Sequence, residues 1–160
     1  MHPNESLIEK FYTSFQNKDH AGMASCYDEE VVFFDPVFQE LKGYKAAAMW
    51  RMLVERSKDL KITFQTGKAD DSRGSAHWEA VYPFSGTGRI VHNKIDAAFE
   101  FKNGKIIRHT DSFSLWKWAS MALGGTGMFL GWSPTVQNKI RKEAQGGLEL
   151  FIKRNRLAPK

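Results

Sequence analysis

The sequence predicts an α+β domain in which helices come first and a run of consecutive antiparallel strands follows. Two patterns carry that reading. Leu7, Ile8, Phe11, Tyr12 and Phe15 recur at helical spacing, and Ala47, Met49, Trp50, Leu53 and Val54 repeat the pattern further on. Beyond them lie four strand-like segments bounded by turn-forming residues. With 160 residues the chain is long enough for a real core. Residues 1–116 are expected to form the body, and 117–160 a helical extension packed on the same domain.

Asn4 or Ser6 is placed to cap the first helix, which runs to about Asn17. A short second helix, about His20 to Cys26, brings Met23 and Tyr27 to one side. The segment YDEEVVFFDP follows, and its VVFF run alternates poorly, so it reads as a strand buried on both faces. Asp35 closes it, because Pro36 breaks the ladder and holds its predecessor out of the helical region. Gly43 then punctuates, and a third helix spans roughly Tyr44 to Ser57.

The four later strands are LKITFQTGKAD, SAHWEAVYPF, RIVHNKIDAAFEF and KIIRHTDSF. Asp70 to Gly74 and Lys102 to Lys105 read as hairpin turns, the second with an Asn-Gly pair. Ser114 can cap the helix LWKWASMALGG. The next stretch, GGTGMFLGW, reads as a glycine-rich apolar link, without the lysine or strand-to-helix setting of a phosphate loop. Ser133 and Pro134 open a last helix. Its stripe of Val136, Ile140, Ala144, Leu148 and Phe151 is expected to pack on the body, and GGTGMFLGW with this helix to cover the cone mouth or its outer sheet as a lid or dimer contact.

Composition narrows the function classes. The polar first ten residues predict no signal peptide. No apolar run is long enough to span a membrane, and no membrane partner is expected. Cys26 is the single cysteine, which excludes an internal disulfide and fits a reducing cytoplasm. The net charge of +5 sits in residues 135–160, where seven Lys or Arg face two Glu. The rest of the chain is neutral and lacks nucleic-acid signatures, so no nucleic-acid partner is expected. The five histidines share no common face or ligand spacing, so neither a metal nor a cofactor is expected.

Asp35 is the leading candidate for chemistry. A carboxylate at the rim of an apolar wall has its pKa raised by desolvation and can shuttle a proton. An Asp-Pro pair also initiates turns, so a purely local role is the other reading. In the last strand Ile107, His109, Asp111 and Phe113 share a side. His109 and Asp111 then lie about 7 Å apart along the strand, as a proton-relay pair or a hydrogen-bonded structural pair. Trp78, Ala80 and Tyr82 form the inward side of their strand, leaving His77 and Glu79 outward. Asn93 is the polar exception on an inward apolar face and a fair ligand contact. Tyr12, Phe15, Tyr27 and Trp50 complete the expected ligand wall.

The YTSFQNKD helix end, the YDEEVVFFDP strand, the GYKAAAMW helix start and the FEFKNGKIIRHTDSF hairpin together resemble the nuclear transport factor 2-like superfamily. In particular they resemble its SnoaL-like and ketosteroid-isomerase-like branches, over about residues 5 to 116. The resemblance implies a cone, with helices packed on a strongly bent, mainly antiparallel sheet around a ligand-sized cavity. It also implies that Asp35 stands where ketosteroid isomerase holds its general base. The isomerase's helix-one tyrosine falls on Phe11, with Tyr12 about 100° around the helix. Its second donor falls on Ala97, and Asp96 reaches the pocket only through a bulge. Steroid isomerisation as such is therefore not expected. In SnoaL-like cyclases the proposed acid/base aspartate matches Asp111. The expected function is binding of a small apolar molecule with isomerase-, cyclase- or hydrolase-like acid–base chemistry. The alternative is a non-catalytic binding or dimerising module, and a homodimer is the expected assembly.

Overall fold

His2, rather than Asn4 or Ser6, opens the first helix. Its Nδ1 accepts the Asn4 amide at 3.0 Å, while Glu5 accepts the His2 amide at 2.7 Å, a reciprocal cap. Pro3 occupies the first helical position, where its missing N–H costs nothing, so α1 spans Pro3–Gln16. The computed structural model describes residues 1–159. Asp19 caps α2 (His20–Ser25), and β1 (Tyr27–Asp35), β2 (Gln39–Lys42) and α3 (Tyr44–Arg56) follow. The sheet continues with β3 (Lys61–Ala69), β4 (Arg73–Pro83), β5 (Ile90–Lys102) and β6 (Lys105–Ser112). Three helices end the chain: α4 (Leu115–Leu123), α5 (Gly125–Leu130) and α6 (Pro134–Arg154).

The strands form one six-stranded sheet in the order β2-β1-β6-β5-β4-β3. Every neighbouring pair is antiparallel except β1 and β6, which run parallel. This is the α+β cone, its curled sheet wrapped on the helices and its core packed between them. The parallel pairing matters most for the site. Phe34 pairs with Thr110, so the next residues on each strand, Asp35 and Asp111, emerge at the same end of the sheet.

Several local expectations are corrected. Strand β1 is buried on one face only: Val31 and Phe33 are covered, while Phe34 is 38% exposed. The β2 strand was not anticipated, because QELK is short and polar and follows a proline. It exists because Pro36 to Phe38 turn the chain, with Gln39 at φ 60°, and return it to pair Gln39 with Asp35. In β6 a bulge opposite Glu100 and Phe101 shifts the phase, so Ile106 rather than Ile107 joins His109 and Asp111 inside. Asp96 pairs in regular register with Ser112 and points outward, where it bonds His77 at 2.9 Å. The Asn103-Gly104 turn forms as expected, with both residues at positive φ.

The glycine-rich link is a helix, α5, folded back on α4. Gly127 makes this possible, because a Cβ there would collide with the carbonyl of Ala119. The α6 stripe divides in two. Leu148 and Phe151 are buried in the core, whereas Val136, Ile140 and Ala144 face an open cavity. Cys26 is a buried core residue, and burial raises its thiol above the usual range. Among the described residues no helix is long and apolar enough to cross a membrane.

The Tyr12 hydroxyl is fully buried and has no hydrogen-bond partner among the described residues. Its ring stacks on Phe64 at 5.3 Å, so the packing keeps a group whose polar atom is unsatisfied. Tyr12→Phe is therefore expected to raise stability by about 1 kcal/mol, read as a higher denaturation midpoint at unchanged slope.

Candidate active site

A cavity of about 1120 Å³ opens between the inner face of the sheet, α3 and α6. That is at the upper end of ordinary ligand sites. Its walls are mostly apolar, from Phe15, Trp50, Trp78, Ile95 and Phe113, with Leu53 and Ile140 facing them. Arg56, Lys58, Asp59, Lys139 and Glu143 also line it but are exposed, and fewer of its polar groups are buried or half-buried. The principal ones deep in the chamber are Asp35, Asp111, Tyr82 and Asn93.

Asp35 does two things at once. Its Oδ1 accepts the amides of Val37 at 2.8 Å and Phe38 at 2.6 Å, closing the turn that leads to β2. Among the described residues no protein group donates to Oδ2, and the side chain lines the cavity. The turn reading of the Asp-Pro pair thus holds for Oδ1, and it leaves Oδ2 without a donor among the described residues. Burial pushes the carboxyl up to about 7, the two amides oppose that, and the charge of Asp111 adds to it. The turn itself is clamped by the C-terminal extension. Arg141 donates to the Pro36 carbonyl at 2.9 Å and Gln145 to that of Phe38 at 3.3 Å.

Asp111 is the cavity end of a buried chain of hydrogen bonds. The Trp50 indole donates to the Tyr27 hydroxyl at 2.8 Å, and that hydroxyl meets His109 Nδ1 at 2.8 Å. His109 Nε2 meets Asp111 Oδ1 at 2.8 Å, and Trp78 donates to the same oxygen at 3.3 Å. One arrangement satisfies every group: Tyr27 donates to Nδ1 while a hydrogen on Nε2 points at Asp111. Phe11, Phe33, Trp50 and Phe99 enclose the imidazole. Nothing in that shell lets the ring turn, so Asp111 is held in one orientation.

Across the chamber, Trp118 of α4 donates its indole N–H to the Tyr82 hydroxyl at 2.7 Å. The tyrosine oxygen is thus an acceptor in that bond, and its own hydrogen remains for a ligand. Burial raises Tyr82 above the usual tyrosine range, the Trp118 bond offsets part of that, and the charge of Asp35 raises it further. The hydroxyl stays protonated and can only donate or accept a hydrogen bond.

The expected site residues divide by position. Asp35, Asp111, Tyr82 and Asn93 line the cavity, as do Phe15, Trp50, Trp78 and Phe113. Tyr12, Tyr27 and His109 do not reach it. Tyr27 and His109 stand behind Trp50 and Asp111 as supports, and Tyr12 is packed between Phe64 and Trp78. Sequence reasoning missed Trp118 and Arg141, and it gave α6 only as a lid or dimer contact, with no lining residue named. The partners of Trp118 and Arg141 lie 36 and 105 positions away, and no local pattern announces pairings at that range. The α6 stripe was visible, but its upper half faces empty space that periodicity does not distinguish from packing. On the outer face, Glu79 bridges His77 and His92 at 2.8 and 2.7 Å. Among the described residues no group of three or more His, Cys, Asp or Glu is arranged to hold a metal ion.

This architecture has many counterparts among solved structures. Bal32a, from a soil-derived mobile gene cassette, is 20% identical with a TM-score of 0.65, over 74% of this chain and 95% of its own. A candidate polyketide cyclase of Xanthomonas campestris pv. campestris is 19% identical with a TM-score of 0.64, over 74% and 96%. An LEH-like epoxide hydrolase of M. tuberculosis is 16% identical with a TM-score of 0.60, over 80% and 95%. At such identities these likenesses show the fold alone. No protein of curated function matches the sequence. The family model for the SnoaL-like domain matches residues 8–109, more than half of the chain, and stops short of Asp111 and the terminal helices. With the cone, its cavity and that match together, the chain belongs to the SnoaL-like domain family.

Proposed function

We propose that this protein is an enzyme that moves a proton on a small, largely apolar molecule bound in the cavity, with Asp35 as the base. The observation that carries this reading is the Asp35 carboxyl on the cavity wall, fixed by two amides through Oδ1 and with no donor to Oδ2 among the described residues. With its pKa near 7, it is a stronger base than an ordinary carboxylate and still available at neutral pH. Tyr82, aimed by Trp118, is the donor for an oxygen on the substrate, and Asn93 is a second polar contact. Asp111, oriented by His109 and Tyr27, takes that proton over from Asp35 and then gives it up to the product or to solvent. The reaction class that uses such a set is proton abstraction beside a carbonyl, as in an isomerisation or an aldol-type cyclisation. The cavity volume admits a polycyclic substrate. Several structural neighbours are described as polyketide cyclases, which agrees with that class.

The turn formed by Asp35 also favours a second reading, a binding module in which the carboxyl serves only the backbone. One experiment separates them. Polycyclic ketones are screened by NMR in heavy water for binding and for deuterium exchange at carbons beside the carbonyl. The expected result is exchange with the native protein that falls by about a hundredfold or more in Asp35→Asn, with binding retained. Ketones that bind equally to both proteins and exchange in neither establish the binding module.

A further inference from the structure

The tip formed by α4 and α5 presents an apolar surface that the cavity chemistry does not use. Met128 is 56% exposed, Phe129 72%, Leu130 50% and Trp132 60%, and Trp116 beside them is 49% exposed. Trp116 donates its indole N–H to the Met128 carbonyl at 3.0 Å, and Trp132 to that of Phe129 at 2.8 Å. The polar atom of each indole is therefore satisfied internally, and what the rings offer outward is apolar. Isolated exposed apolar residues are ordinary, but five large ones clustered on one tip are not.

The chain segment that carries this tip has charge of one sign, up to Glu143 of α6. From Ser112 to Lys142 the chain contains no Asp or Glu, while Lys117, Lys139, Arg141 and Lys142 are all basic. The nearby Arg89 reaches the Met121 carbonyl of α4 at 2.9 Å. Two copies meeting through such a surface would bring cationic rims together. An anionic surface instead neutralises them, and tryptophan rings settle at the boundary between headgroups and acyl chains. The tip also adjoins the cavity mouth, since Thr126 of α5 and Val136, Lys139 and Ile140 of α6 line it.

We propose that the α4–α5 tip docks this protein on anionic phospholipid membranes. Phe129 and Trp132 enter the headgroup boundary, and the exposed Lys117, Lys139 and Lys142 pair with lipid phosphates. This is a surface contact and requires no spanning helix. Docking would hold the cavity mouth against the bilayer, where apolar molecules concentrate; that consequence alone rests on the cavity reading above.

The test is sedimentation with phosphatidylcholine vesicles, alone or mixed with phosphatidylglycerol, at low and high salt. Native protein is expected to partition onto the mixed vesicles, more weakly as salt rises. Phe129→Glu should weaken partitioning about tenfold or more, and Lys117→Glu with Lys142→Glu by a comparable factor. All three residues are exposed, so unfolding profiles should match the native protein. No sedimentation with either vesicle, or equal binding to both, overturns the proposal. So does a dimer seen by light scattering that Phe129→Glu dissolves, since the tip would then be an interface between copies. Deuterium exchange in the cavity is read in vesicle-free solution, so failure of one claim is distinguishable from failure of the other.

Discussion

Asp35→Asn is expected to stabilise the protein above neutral pH while removing its proton transfer. An asparagine oxygen can still accept the Val37 and Phe38 amides, so the turn survives. What disappears is a charge that burial disfavours. The carboxyl titrates near 7 when folded and near 4 when unfolded, so between those values the folded state binds more protons. Native stability therefore falls as pH rises from about 4 to 7, and the loss is complete once Asp35 is ionised in both states. The shift corresponds to about 2–4 kcal/mol, allowing for water that reaches the carboxyl through the cavity. Chemical denaturation at a series of pH values should show Asp35→Asn without this decline. Equal stabilities of the two proteins at pH 8 would remove the argument for a desolvated base. If the base acts in the free enzyme, kcat/KM should rise with pH through about 7 in the native protein.

Asp111→Ala is expected to be among the most damaging substitutions in the core, at about 2–4 kcal/mol. It leaves His109 Nε2 and the Trp78 indole without an acceptor, in a place where His109 is fully buried. Asp111→Asn behaves differently because its oxygen can still accept from both. Its informative effect is on Asp35. Removing the Asp111 charge lowers the cost of ionising Asp35, so the Asp35 pKa should move down from about 7. Carbon-13 NMR titration of the Asp35 carboxyl reads this directly. An unmoved titration in Asp111→Asn would show that the two carboxyls do not sense each other, and the paired-acid mechanism would fail.

Much of this site was legible before folding because strand phase is a short-range property. Trp78, Tyr82, Asn93 and Asp111 point inward for the same reason that their neighbours are apolar. Asp35 was legible because proline fixes where its strand must end. The failures share an opposite cause. The bulge at Ile106 and Ile107 depends on how β6 pairs with β5, and a run such as KIIRH does not encode it. The His2 cap was overlooked because histidine rarely fills that place, although Glu5 three residues on was the available signal. His109 was placed on the correct face but at the wrong depth. Alternation tells which way a side chain points, not what stands in front of it.

Sequence alone determined the order of the main helices and strands, though not β2 or α5, the family likeness, and the inward faces of β4 and β5. These follow from periodicity, turn chemistry and the desolvation of apolar side chains, which act over a few residues. Only the tertiary structure decided that Asp35 and Asp111 share one end of the sheet, since the parallel pairing of β1 with β6 joins segments far apart in the chain. It also decided that Trp118 aims Tyr82 and that α6 both walls the cavity and clamps the turn behind Asp35. Those contacts are long-range, and each exists only because the whole cone has closed.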